Sequence, residues 1–272
     1  MDIIEWVSVF PVSRSRVNLK VCPALAELKR RPANGCVALS LARMRLTGLL
    51  FGAFLLAAPA PGGVLAQVDH LVYATPNLAM GIETAEALFG VRATPGGQHP
   101  GEGTRNALIA LGPASYFEII GLDPDQPAPT RGRRFGIDEI KAPRLTTWVA
   151  KGRTLEAFAS AALAHGVNLG AVIPGSRKRP DGVVLSWTYT DPRVVLADRL
   201  VPYFIDWGAS PHPSATAAKG VTLLSLRAEH PDAEHVQAML KQLGLDLAVT
   251  RGPKPALIAT FDSPKGQVEL KS

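Results

Sequence analysis

The feature that most restricts the fold of this chain is a pattern that occurs three times. From Val68 an alternating apolar strand (68–74) leads into a helix (77–89) with Leu78, Ile82, Ala85 and Phe89 at helical spacing, ended by Gly90. Short extended segments follow at 91–94, 106–111 and 115–121. From Arg144 the order repeats: LTTWVA as a strand, a helix carrying Leu155, Phe158, Ala159, Ala162 and Leu163, then Gly166 and extended segments near 169–173, 183–189 and 202–206. A third copy opens at Val221 with VTLLSL, runs through a helix with Val236, Met239, Leu240 and Leu243 to Gly244, and has strands near 247–250, 256–261 and 267–270. The three helix-ending glycines lie 76 and 78 residues apart, which marks a repeat of whole structural units. Each unit reads as βαβββ, over 68–121, 144–207 and 220–271. One helix covers one face of four strands, so the other face needs a partner. The expected fold is α+β: repeated units forming a cupped mixed sheet, its concave face lined by alternate strand residues and its helices outside.

Composition supports a substantial core, with 47% apolar residues in a chain of 272. The net charge of +6 and a pI near 9.5 raise the question of nucleic acid. Residues 1–66, however, hold eight of the 29 Lys/Arg and three of the 23 Asp/Glu, so nearly all the excess lies in that stretch and no nucleic-acid partner is expected. Within it, Arg43 and Arg45 precede the apolar run Leu46–Ala58, which is shorter than the roughly 20 residues of a bilayer span. Val64-Leu65-Ala66 then offers a peptidase site. The expectation is a signal peptide over 44–66, cut after Ala66, with the rest periplasmic or secreted and not anchored in a membrane. A membrane anchor or a buried apolar helix is the alternative. Residues 1–43, which carry Cys22 and Cys36, are expected to be a non-native or disordered extension, translation starting at Met44. The cleaved chain, 67–272, has no cysteine, which excludes disulfides and thiolate metal ligands.

Two strands carry polar residues where apolar ones would serve. VDHLVYATPNL sets His70 on the face of Val68 and Val72, and SYFEIIGLD sets Glu118 on the face of Tyr116 and Ile120. An imidazole and a carboxylate converging on a concave face suit a divalent metal such as Zn, Ni, Mn or Fe; a buried His–Glu hydrogen bond satisfies both groups without one. GGQHPGEGTRN reads as a loop over a pocket mouth, with His99 in it and Arg105 and Asn106 leading into the next strand. WGASPHPS puts His212 just beyond the last strand of the second unit. GSRKRPDG is a basic loop whose Arg177 is suited to a carboxylate or phosphate, with Arg105 assisting and Trp187 and Trp207 as an apolar wall; a solvated basic turn is the plain alternative. No G-x-S-x-G, P-loop, dinucleotide fingerprint or H-E-x-x-H occurs, which argues against covalent serine or cysteine chemistry.

VDHLVYATPNL, GGQHPGEGTRNALIALG and SYFEIIGLD together resemble the glyoxalase-like branch of the vicinal-oxygen-chelate superfamily, which includes glyoxalase I, extradiol dioxygenases and bleomycin-resistance proteins. The resemblance covers most of Val68–Lys271 and is strongest in the first unit. It implies that a first-strand histidine and a last-strand glutamate from each of two units hold one divalent metal facing a substrate with adjacent oxygens. His70 and Glu118 match these positions; the second unit has Thr146 for its histidine and offers Asp206, unless a one-residue slip turns Ile205 inward, and the third keeps Glu269 without a histidine. His99 and His212 are the candidates to complete the metal set with His70 and Glu118. The resemblance implies a metal-dependent lyase or isomerase in which Glu118 or Asp206 shuttles a proton, acting on a small molecule that can be anionic. A metal-free binding protein of the bleomycin-resistance type and an extradiol-type dioxygenase are the alternatives. Whether the chain forms a homodimer is left open.

Overall fold

Four strands and one helix leave a sheet face bare, and the first two units solve this jointly. The computed structural model describes residues 63–272; the expectations for 1–43, and those for the leader before Gly63, fall outside these residues. A short helix α1 (Gly63–Gln67) precedes β1 (Val68–Thr75), α2 (Leu78–Phe89), β2 (Thr94–His99), β3 (Thr104–Gly112) and β4 (Ser115–Leu122). The second unit comprises β5 (Arg144–Lys151), α3 (Leu155–Ala164), β6 (Val172–Lys178), β7 (Val184–Thr190) and β8 (Tyr203–Asp206). These strands form one curved sheet in the order β2-β3-β4-β1-β5-β8-β7-β6. β1 lies antiparallel to β5 and parallel to β4, while β5 lies parallel to β8, so the two units meet as mirror-ordered halves. The outer edges β2 and β6 approach each other: Arg177 on β6 donates to the Gly96 carbonyl on β2, and a Cβ on Gly97 would lie 2.6 Å from the Lys178 carbonyl. The cup is thereby nearly closed.

The first helix is set by its ends. Asn77 caps it, its side-chain oxygen accepting from the Ala79 and Met80 amides at 2.9 and 3.2 Å, and Gly90 ends it at φ 73°, a conformation that favours glycine. Its seat is tight. A Cβ on Gly121 of β4 would lie 2.7 Å from the Leu78 nitrogen, so the helix start rests directly on that strand.

Two faces of the sheet have different fates. Leu71, Tyr73, Phe117, Ile119 and Trp148 point to the helix side and join one large core. Val72, Ala74, Ile120, Val149, Tyr189 and Ile205 point into the cup, where Phe135 and Ile137, from a tight turn at Arg134–Glu139 between the units, pack on them. The third unit, β9 (Thr222–His230), α4 (Ala233–Gln242), β10 (Ala248–Arg251), β11 (Ala256–Ser263) and β12 (Gly266–Lys271), makes a separate sheet ordered β10-β9-β11-β12. It joins the helix-side core through Phe261, whose ring lies 5.1 Å from Phe89 and 5.7 Å from Phe117. Gln67 is clamped to the same unit, its side-chain amide donating to the Gly244 carbonyl and its oxygen accepting from the Asp246 amide. Among the described residues, no helix is long and apolar enough to cross a membrane.

Two expected loops are strands for part of their length. GGQHP belongs to β2 up to His99, and GSRK belongs to β6. Glycine and proline are tolerated there because both are edge strands, short of a partner on one side.

Candidate functional site

The site begins with a break in the pleat. Successive side chains of a strand point to opposite faces, yet the pairing of β1 with β5 shifts between Val68 and His70. Val68 joins the helix-side core with Leu71, so it does not share the face of His70 as simple alternation requires. The bulge lets Asp69 and His70 meet, with Asp69 Oδ1 2.7 Å from His70 Nδ1. Asp69 also receives the Trp207 indole N–H at 3.1 Å and faces His212 Nε2 at 3.3 Å. Burial raises the pKa of Asp69, but the hydrogen bonds and charges of His212 and His70 outweigh this and leave it lowered. Asp69 is therefore a carboxylate, and it holds the His70 proton on Nδ1.

The other ring nitrogen of His70 faces the cup. Its Nε2 lies 3.1 Å from the Tyr203 hydroxyl and 3.6 Å from Glu118 Oε2, and Tyr116 stacks on the ring at 4.5 Å. His99 comes to the same carboxylate from β2, with Nε2 3.8 Å from Glu118 Oε1 and Nδ1 3.0 Å from the Thr104 hydroxyl. Asn106 ties the group together, donating to Glu118 Oε1 at 2.6 Å and lying 3.3 Å from His99 Nε2. Burial, then the charges of Arg134, Arg177 and His70, push the pKa of His99 well below 6.5, so it is neutral. Burial and the Glu118 charge drive Tyr116 and Tyr203 well above 10, so both keep their protons.

These side chains surround a cavity of about 20 Å³, room for roughly one water-sized group. Above it opens a cleft of about 990 Å³, walled by Trp187, Trp207 and Tyr189 and reached by His99 and Arg134.

Of the expected site residues, the fold gathers His70, His99, Asn106, Glu118, Arg177, Trp187 and Trp207 around the cavity. His212 does not join the set around Glu118: one ring nitrogen faces Asp69 and the other Ser214 Oγ at 2.7 Å, so it props Asp69. Asp206 is likewise turned from the cavity. The alternation of β8 sends Tyr203 and Ile205 inward, and Asp206 sits at the cleft rim accepting from the Gly208 amide. Arg105, with a 39% exposed side chain, reaches Asp125 at 3.8 Å and Asp123 at 4.0 Å, away from the cavity. In the third unit Glu269 is exposed and paired with Arg227. Thr146, the counterpart of His70, gives its hydroxyl to the Val72 carbonyl. The sequence reading missed Asp69, Tyr203 and Arg134. Asp69 stands beside His70 in VDHL, but only the bulge brings both to one face.

The donor chemistry fits a divalent ion. With Nδ1 of each ring bonded to Asp69 or Thr104, His70 Nε2 and His99 Nε2 both face one carboxylate, and a carboxylate behind a metal-binding histidine is a recurrent support. As they stand the three are held apart by Asn106 and Tyr203, and among the described residues no cluster of three or more His, Cys, Asp or Glu is drawn close enough to hold an ion.

No curated protein matches the chain. Among solved structures, a hypothetical protein from Staphylococcus aureus is similar at 13% identity, over 75% of this chain and 84% of that one, with a TM-score of 0.51. Methylmalonyl-CoA epimerase from Mycobacterium tuberculosis aligns at 14% identity over 54% and 91% (TM-score 0.36). A Streptomyces coelicolor methylmalonyl-CoA epimerase variant bound to 2-nitronate-propionyl-CoA aligns at 16% over 54% and 98% (TM-score 0.37). The glyoxalase-like domain family matches residues 68–244, from the strand of His70 to the glycine that ends α4. With both paired units and the whole His70–Glu118 site inside that match, the chain belongs to the glyoxalase-like domain family.

Proposed function

We propose that the protein is a glyoxalase-like enzyme, a lyase or isomerase that acts on a small molecule with two adjacent oxygens and uses a divalent ion held by His70, His99 and Glu118. One observation carries this: two imidazoles turn their Nε2 atoms to the two oxygens of one buried carboxylate, at 3.6 and 3.8 Å. A bound ion supplies Lewis acidity toward the substrate oxygens. Asp69 fixes the His70 tautomer and ring direction. Glu118 moves the proton: Asn106 holds Oε1, which leaves Oε2 to take a proton from carbon and return it. Tyr203, kept protonated by burial, offers a hydroxyl donor to negative charge developing on oxygen. The water-sized cavity excludes bulk solvent from this step, while the cleft above receives the rest of the molecule.

The arrival of His99 favours a second reading. Two histidines and one carboxylate are also the set of non-haem iron oxygenases, which fits an extradiol-type dioxygenase. Metal analysis of protein purified without chelator, beside His70→Ala and His99→Ala, decides. Stoichiometric Zn, Ni or Mn in the wild type, lost in both variants, is the expected result; iron with the same dependence favours the oxygenase. Absence of metal from all three removes the metal mechanism and leaves a binding protein.

A further inference from the structure

Arg134 is the buried charge that the proposed reaction leaves unused. It opens the turn between the paired units, where Phe135, at φ 64°, is held in the left-handed region while its ring packs on Tyr203 at 5.7 Å. The side chain is 7% exposed, lines both the small cavity and the cleft, and lies with its guanidinium 5.3 Å from the Tyr189 ring centre. Its Nε is buried and has no hydrogen-bond partner among the described residues. Nε instead faces the Glu102 carboxylate at 3.6 Å, an ion pair that Glu102 shares with Arg193 at 2.8 Å. One shared carboxylate leaves the buried guanidinium only partly paired, which is costly unless something else completes its pairing. Arg177, 3% exposed, lines the same cavity and has one amino group committed to Gly96.

We propose that Arg134, aided by Arg177, anchors the carboxylate of the substrate, which is a small 2-hydroxy or 2-oxo acid with a flat apolar remainder. This rests on the reading of His70, His99 and Glu118 as the reaction centre, because the oxygen on the carbon next to the carboxylate then supplies the second of the two adjacent oxygens. A guanidinium pairs with a planar carboxylate through two N–H groups, and Arg134 and Arg177 both line the one cavity. Trp187 and Trp207, 5.1 Å apart, flank the cleft where the apolar remainder lies.

Isothermal titration with mandelate, with its neutral amide and with inorganic phosphate tests this. The wild type is expected to bind mandelate at least about tenfold more tightly than the amide. Arg134→Met is expected to weaken mandelate by about ten- to a hundredfold and leave the amide unchanged, with part of the affinity returning in Arg134→Lys. Equal binding of mandelate and amide, no saturable mandelate binding at millimolar concentration, or an unchanged Arg134→Met overturns the anchor, and phosphate binding with the same Arg134 dependence overturns the carboxylate class. If Arg134→Met does not fold, by circular dichroism, the wild-type preference between acid and amide decides. Metal content of the same samples separates the two readings. Arg134-dependent mandelate binding without metal sinks the reaction centre and keeps the anchor; metal without charge preference does the reverse.

Discussion

A histidine enclosed beside two guanidiniums takes up a proton with difficulty, and His99 is in that position. Its pKa is depressed first by burial and then by Arg134 and Arg177. The unfolded chain protonates this imidazole near 6.5 while the folded one resists, so the unfolded state binds more protons below that value. The stability from keeping His99 neutral is full above pH 6.5 and is lost progressively as pH falls toward the depressed value, by up to about 1.4 kcal/mol per pH unit. Urea unfolding of metal-free protein at several pH values should show this slope, and His99→Gln should flatten it. At this scale His70, Glu118 and His99 were legible, because a polar residue on an apolar strand, or a histidine among glycines beside one, stands out in the sequence. Asp69 was not, since a bulge is needed to bring it round, and Arg134 lies in a connection with no period to say where it points. Arg105 misled for the opposite reason: its charge is conspicuous, yet two aspartates nearby account for it.

At the scale of the element, α2 and β4 are locked together by an absent side chain. A Cβ on Gly121 would meet the backbone of Leu78, at 2.7 Å from its nitrogen and 2.9 Å from its Cα, and backbone at a capped helix start does not move aside easily. Gly121→Ala should cost about 1–3 kcal/mol by overpacking, read as a lower urea midpoint with an unchanged slope. The existence of the elements was legible from periodicity and from caps such as Asn77 and Gly90. Their edges were less so: glycine and proline at 95–97 and 174–175 look like loop, but on β2 and β6 they cost little because an edge strand has one neighbour. The short strand β8 shows the sharpest limit. One step of register decides between Ile205 and Asp206, and tertiary packing chose the apolar residue.

At the scale of the molecule, the threefold repeat was legible, whereas nothing in its period says that the third copy keeps a sheet of its own. Two units share the cup, while the third keeps its own sheet and packs on the helix side of the first through a cluster of Phe89, Phe117 and Phe261. Phe261 is fully buried, so Phe261→Ala should destabilise the whole by about 3–5 kcal/mol. The shared core predicts that a single unfolding transition shifts without splitting, and scanning calorimetry checks this. The origin of the site residues has a temporal meaning. His70, His99 and Glu118 come from β1, β2 and β4 of the first unit, whereas Tyr203, Trp187, Trp207 and Arg177 come from the second. The bulge that brings Asp69 and His70 to one face lies in the pairing of β1 with β5, so a chain that acquires structure from its N-terminal end completes this site only when the second unit docks. Site and walls are therefore finished together during the birth of the molecule, and the second unit acts as the keystone fitted last.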